Sequence, residues 1–145
     1  AILVPMLALA AWTMFIQAWM YATRLPAMSR AKIDGTKLVG STGKSLRDDL
    51  VAAGEVRASW VADNYNHLME QPTIFYATAL ALAVLGESGS LVVGLAWGYT
   101  GLRIAHSLVQ ILSNRVLIRF ALFASASLCL VGLVLLALSA AAAQG

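Results

Sequence analysis

Residues 57–85 read RASWVADNYNHLMEQPTIFYATALALAVL, and this stretch decides the fold. From Pro72 onward it is apolar enough to lie in a bilayer, yet its first half carries Asp63, Asn64, Asn66, His67 and Glu70. Ionisable groups in a membrane segment are costly and by default mark a functional site. The stretch reads as one helix over 55–85. The segments around it agree. Residues 1–23 carry no charge, a run longer than the apolar core of a signal peptide, about 7–15 residues. Trp12, Trp19 and Tyr21 stand near its ends as interfacial anchors. A third apolar segment, 91–112, holds Arg103 and His106, and a fourth, 116–142, is uncharged after Arg119.

Composition points the same way. Of 145 residues 60% are hydrophobic and 12% charged, with mean hydropathy +0.78. Soluble domains run at about half apolar and a quarter charged. A disordered chain is excluded and a water-soluble globule disfavoured. At about 20 apolar residues per crossing the chain holds about four transmembrane helices and one sizeable loop. The expectation is all-α: a multi-pass integral membrane four-helix bundle, one domain over 1–145, with the loop at 24–54. No room remains for a Rossmann unit or a kinase lobe. The single cysteine, Cys129, excludes a disulfide framework and a cysteine metal site. Two histidines on different helices with no second acid nearby make a poor metal site, so no metal is expected, and no nucleic-acid partner. Gly40, Gly43 and Lys44 lack the spacing and the preceding strand of a phosphate-binding loop. Basic residues flank the 24–57 and 113–119 connections, and none flanks the N-terminus or the 86–90 turn. The positive-inside rule puts the two basic connections in the cytoplasm and both termini outside.

Spacing tells which way the polar residues point. Asp63, Asn66, Glu70 and Thr73 form one helical stripe, and Tyr99, Arg103, His106, Gln110 and Ser113 another. Two such stripes predict a wet or ligand-filled cleft between the helices. The simplest content of that cleft is a Glu70–Arg103 ion pair, with Asn66 and His106 as hydrogen-bonding glue. This leaves Arg57, Arg115 and Arg119 unused, and Arg115 alone reads best as a headgroup anchor. Surplus positive charge around one or two acids suits a small anion carrying carboxylates, which arginine binds in bidentate fashion. His67, about 100° around the helix from Asn66, reads as a hydrogen-bonding histidine outside the cleft. Ser90, Gly94 and Gly98 form a small-residue row that allows close helix approach.

The run from Arg57 to Phe75, followed by Arg103-Ile-Ala-His106 and then Arg119, resembles the MAPEG family, membrane-associated proteins in eicosanoid and glutathione metabolism, in a bacterial-type member. The resemblance covers nearly the whole chain. It implies a homotrimer of four-helix subunits, in a bacterial inner membrane, with glutathione as co-substrate bound between neighbouring subunits near the cytoplasmic face. By the same resemblance Arg57, Asn66, Glu70, Arg103 and His106 bind glutathione, and Arg119 is the catalytic residue beside the thiol. Arginines fit its carboxylates and Glu70 its ammonium. A cation beside the sulfur lowers the thiol pKa. An apolar small-molecule substrate would enter from the lipid bilayer along the subunit interface.

The chain also departs from the family pattern. Animal members carry Asn three residues before the Glu, where His67 stands here. Pro72 follows Glu70 early, Gln110 replaces a tyrosine, and Phe120 follows Arg119 where the prostaglandin-synthase branch has serine. Two functions therefore stand: a glutathione transferase or peroxidase for lipophilic electrophiles, or a catalytically inactive structural or accessory subunit of a larger membrane complex. A transport path is disfavoured, because the polar residues gather at one end of the helices.

Overall fold

A computed structural model describes residues 1–144, with helices joined by turns and no strand among the described residues. The helices are α1 (Leu3–Arg30), α2 (Gly43–Ala52), α3 (Val56–Leu68), α4 (Pro72–Val84), α5 (Ser90–Leu112) and α6 (Val116–Gln144). Helices α1 and α6 are each long and apolar enough to cross a membrane. On α6, Ala126, Leu130 and Leu133 turn inward while Leu128, Val131, Leu135 and Leu138 are exposed. Lipid tails are as apolar as leucine, so that outer face needs no protein cover in a bilayer.

Helix α5 lies between α1, α3 and α6, and α4 packs on α6 and α1. The common core takes Leu9 and Ile16 from α1, Val61 and Leu68 from α3, Phe75 from α4, and Tyr99 from α5. The Phe75 and Tyr99 rings stack at 4.4 Å. Polar side chains cross-link the helices from within. The Ser107 hydroxyl accepts from Trp12 Nε1 at 3.0 Å and from Asn64 Nδ2 at 2.6 Å, tying α5 to α1 and α3. Gln71 Nε2 donates to Ser127 Oγ on α6 at 2.8 Å.

The helix expected over 55–85 is interrupted at residues 69–71. The cause is Pro72. It has no N–H to donate to the Leu68 carbonyl, so α3 ends at Leu68, and Pro72 takes the first position of α4, where the missing donor costs nothing. The backbone crosses the gap on short bonds, Met69 N–H to Asn66 O at 3.0 Å and Thr73 N–H to Glu70 O at 3.2 Å.

The segment expected as a loop over 24–54 is partly helical. Helix α1 runs on to Arg30 because Ala27 finds a second small core with Leu50 and Ala58. Helix α2 starts from a capping box between Thr42 and Ser45. Gly54, at φ +87°, turns the chain from α2 into α3. Two ion pairs hold this unit: Arg30 to Glu55 at 2.7 and 2.9 Å, and Arg47 Nε to both oxygens of Asp63 at 2.9 and 3.0 Å. The Arg30 hydrogen bond holds the Glu55 carboxyl below its ordinary range.

Candidate functional site

The stripe on α5 is buried as its period predicts. Tyr99, Arg103, His106 and Gln110 all lie inside, and Ser113 is exposed at the helix end. The other stripe points the opposite way. The buried face of α3 is Ala58, Val61, Ala62, Asn64 and Leu68. Asp63 is therefore only half-buried, and Asn66, Glu70 and Thr73 are exposed. The two stripes do not face one another within the chain. No Glu70–Arg103 ion pair forms either: Asp63 is held by Arg47, and a Glu70 oxygen lies 3.2 Å from His67 Nδ1.

Arg103 is fully buried, with 0% of its surface exposed. Its Nη2 donates to the His67 carbonyl at 2.9 Å. That carbonyl belongs to the last turn of α3, where helical acceptors lack partners and the helix dipole is negative. The guanidinium lies 5.6 Å from the centre of the Phe123 ring, within cation–π range. Its Nε and Nη1 have no hydrogen-bond partner among the described residues. A buried cation left this way is costly unless something completes it.

Beside this group lies a cavity of about 240 Å³, lined by His67, His106, Val116, Arg119, Phe120 and Phe123. The two imidazoles meet edge to face at 4.8 Å, and His67 stacks on Phe123 at 5.3 Å. Arg119 Nη1 donates to Asn114 Oδ1 at 2.6 Å. Asn114 takes the left-handed conformation, φ 51°, in the turn from α5 to α6. The Arg119 Nε is buried without a partner among the described residues.

The structure thus brings His106 and Arg119 to one cavity and sets Arg103 against its Phe123 wall. Glu70 adjoins it from the outer surface through His67. Asn66 lies on the outer face of α3. His67 belongs to the cavity, which corrects its expected place outside the cleft. The break at Pro72 ends α3 just beyond it, and Pro72 was the available signal. Phe123 had no signal, since α6 is uncharged after Arg119 and nothing sets one of its apolar residues apart. Arg57 is not part of this group. It precedes His67 by ten residues, about 15 Å along α3, and lines a separate cavity with Trp19 and Leu112. Among the described residues no group of three or more His, Cys, Asp and Glu could hold a metal ion.

Residues 2–139 match the model of the MAPEG family, nearly the whole chain. The chain belongs to the MAPEG family. No curated protein and no solved structure matches it. With two helices long enough to span a bilayer, this MAPEG member is an integral membrane protein, of a family associated with glutathione use. Its donor set fits such a tripeptide in kind. The free N–H groups of Arg103 and Arg119 suit carboxylates, and the exposed Glu70 carboxylate suits an ammonium. Whole small-molecule sites occupy about 300–1,000 Å³, so the 240 Å³ cavity of the single MAPEG chain is smaller than a whole ligand site.

Proposed function

We propose that this MAPEG chain is the four-helix, multi-pass subunit of a homotrimer that binds glutathione at its subunit interfaces, near the cytoplasmic face. The thiolate sulfur of bound glutathione forms a bond to a lipophilic electrophile arriving from the bilayer as the leaving group departs, or two glutathiones reduce a lipophilic hydroperoxide to its alcohol and water and become the disulfide. The observation that carries the reading is Arg103, buried with two guanidinium nitrogens unpartnered and in no ion pair among the described residues. Arg103 takes a carboxylate of the tripeptide. Glu70 takes the ammonium, with Asn66 next to it on the outer face, and His106 lines the bound peptide. Arg119 sits beside the sulfur and favours the thiolate, which is the nucleophile. Val116 and Phe120 offer an apolar wall to the second substrate, and holding both reactants supplies much of the acceleration in such reactions.

The outward direction of Asn66 and Glu70 supports the trimer. Polar and charged groups on a membrane helix face protein rather than lipid, so a neighbouring subunit covers them. Native mass spectrometry in mild detergent is expected to give a trimer. A monomer, unchanged by crosslinking in membranes, would overturn the assembly.

The second reading is a catalytically inactive accessory subunit of a larger membrane complex. The 2.6 Å bond from Arg119 to Asn114 favours it, because that bond holds the guanidinium at the base of its own helix. Calorimetric titration with glutathione separates the two. A hydrogen bond to a charged group contributes roughly 1.5–3 kcal/mol, so Arg103→Ala lowers affinity about tenfold or more. Saturable heat, lost in Arg103→Ala with the trimer intact, supports the site. No heat and no thermal stabilisation at millimolar glutathione rejects it in favour of the accessory subunit.

A further inference from the structure

The larger cavity, about 420 Å³, lies between α1, the start of α3 and the end of α5. The glutathione reading does not use it. Its floor is apolar: Trp19 and Pro26 from α1, Val61 from α3, Ile111 and Leu112 from α5. Its charged edge consists of Arg30, Glu55 and Arg57, and Thr23 adds a hydroxyl to the lining. Arg30 and Glu55 neutralise one another through a two-pronged pair at 2.7 and 2.9 Å. Arg57 is exposed and forms no ion pair among the described residues. The edge therefore keeps one net positive charge.

A second source of positive potential adjoins it. Glu55, the N-cap of α3, makes no side-chain capping bond, so the first N–H groups of α3 are left without that partner. Ala58, in that first turn, lines the cavity. The positive end of the helix dipole acts in the same direction as Arg57. Along α1 the cavity reaches from Trp19 to Arg30, about 16 Å of helix. Within that span the chain changes from the uncharged 1–23 stretch to a basic one at Arg24. A tryptophan at such a change is characteristic of a membrane–water boundary.

We infer that this cavity binds an anionic phospholipid, with the phosphate at Arg57 and the first turn of α3 and the upper acyl chain along Trp19, Ile111 and Leu112. An apolar floor of this size under a single uncompensated cation fits a lipid rather than a free anion, which would leave the floor unused. A volume of 420 Å³ lies within the range of small-ligand sites, about 300–1,000 Å³. The site is independent of glutathione, and so is its test.

Delipidated protein in mild detergent is titrated with phosphatidylglycerol or phosphatidylcholine of the same chain length, and retained lipid is counted by native mass spectrometry. Wild type is expected to prefer phosphatidylglycerol. Arg57→Ala is expected to lower its retention about tenfold, to the phosphatidylcholine level, and Arg57→Lys to keep most of it. Ala22→Trp, which narrows the cavity without changing its charge, is expected to weaken both lipids. Arg57 is exposed and in no ion pair, so its variants keep their helix content, which circular dichroism checks. Equal retention of the two lipids by wild type would overturn the inference. So would an equal loss in Lys44→Ala, a charge outside the cavity, or displacement of the lipid by inorganic phosphate alone.

Discussion

Replacing Arg103 by methionine should stabilise the ligand-free protein while lowering glutathione affinity about tenfold or more. Methionine keeps an unbranched apolar chain, two heavy atoms shorter, and removes the charge. Two interactions are lost. The bond to the His67 carbonyl, 2.9 Å long, contributes about 1.5–3 kcal/mol as a charged donor. The Phe123 contact at 5.6 Å adds about 0.5–2 kcal/mol. The His67 carbonyl does not become an orphan, because it still lies 3.4 Å from the Glu70 N–H. Against these losses stands relief from burying a cation with Nε and Nη1 open, several kcal/mol per ion after relaxation. The losses sum to about 2–5 kcal/mol, and relief that exceeds them by about 1–2 kcal/mol is in keeping with other buried ionic groups replaced by apolar ones. For a chain of this size that raises Tm by about 2–8 °C, at about 2–4 °C per kcal/mol. Thermal unfolding in detergent without ligand measures it, with glutathione titration alongside. A Tm drop of about 4 °C or more in the ligand-free variant is the opposite outcome. It would mean the guanidinium is already satisfied within the protein and is a structural strut.

Ser107→Ala leaves two donors, Trp12 Nε1 and the buried Asn64 Nδ2, without their acceptor. At about 0.6 kcal/mol for an average hydrogen bond between membrane helices, and up to about 1.7, the loss is about 1–3 kcal/mol, read as a lower Tm. Acid should open the unit formed by residues 31–54. Glu55 is depressed below 4.5 chiefly by its hydrogen bond to Arg30, and Asp34 below 3.8 by Thr36. Acids lowered in the folded state contribute stability that is complete above their unfolded values and lost as pH falls through the folded ones. Hydrogen exchange in this unit should be slow at neutral pH and quicken below about pH 4.5, and Arg30→Ala should remove the Glu55 part of that change. Cysteines placed at Lys37 and Glu87 should label from opposite sides of the membrane. Labelling from one side would overturn the proposed crossing pattern.

Much of the site was legible where one helix carries it alone. Tyr99, Arg103, His106 and Gln110 recur at helical spacing on α5, and all are buried. The stripe on α3 had the same regularity and a different outcome. Periodicity says that Asp63, Asn66 and Glu70 share a face. It does not say which face of α3 meets α5, and Ala58, Val61, Ala62 and Leu68 took that position. The small and apolar face packs closely, so the polar one turns outward. Asp63 then meets Arg47, a partner on a helix that the polar composition of 24–54 did not announce.

The sequence by itself determined that this is an all-helical membrane chain. Apolar runs of spanning length and a low charge fraction are sums over neighbouring residues, and neighbours are given by the chain. The end of α3 was also encoded locally, since Pro72 acts on the backbone within its own turn, although the stretch 55–85 read as one helix. Helix packing brought His67 and Phe123 to wall one cavity with Arg119, and Arg57 to line another. It alone left Arg103 without a counter-ion among the described residues. Those outcomes depend on the rotation of each helix about its axis. Rotation is set by the packing of whole faces against one another, a property no single segment carries.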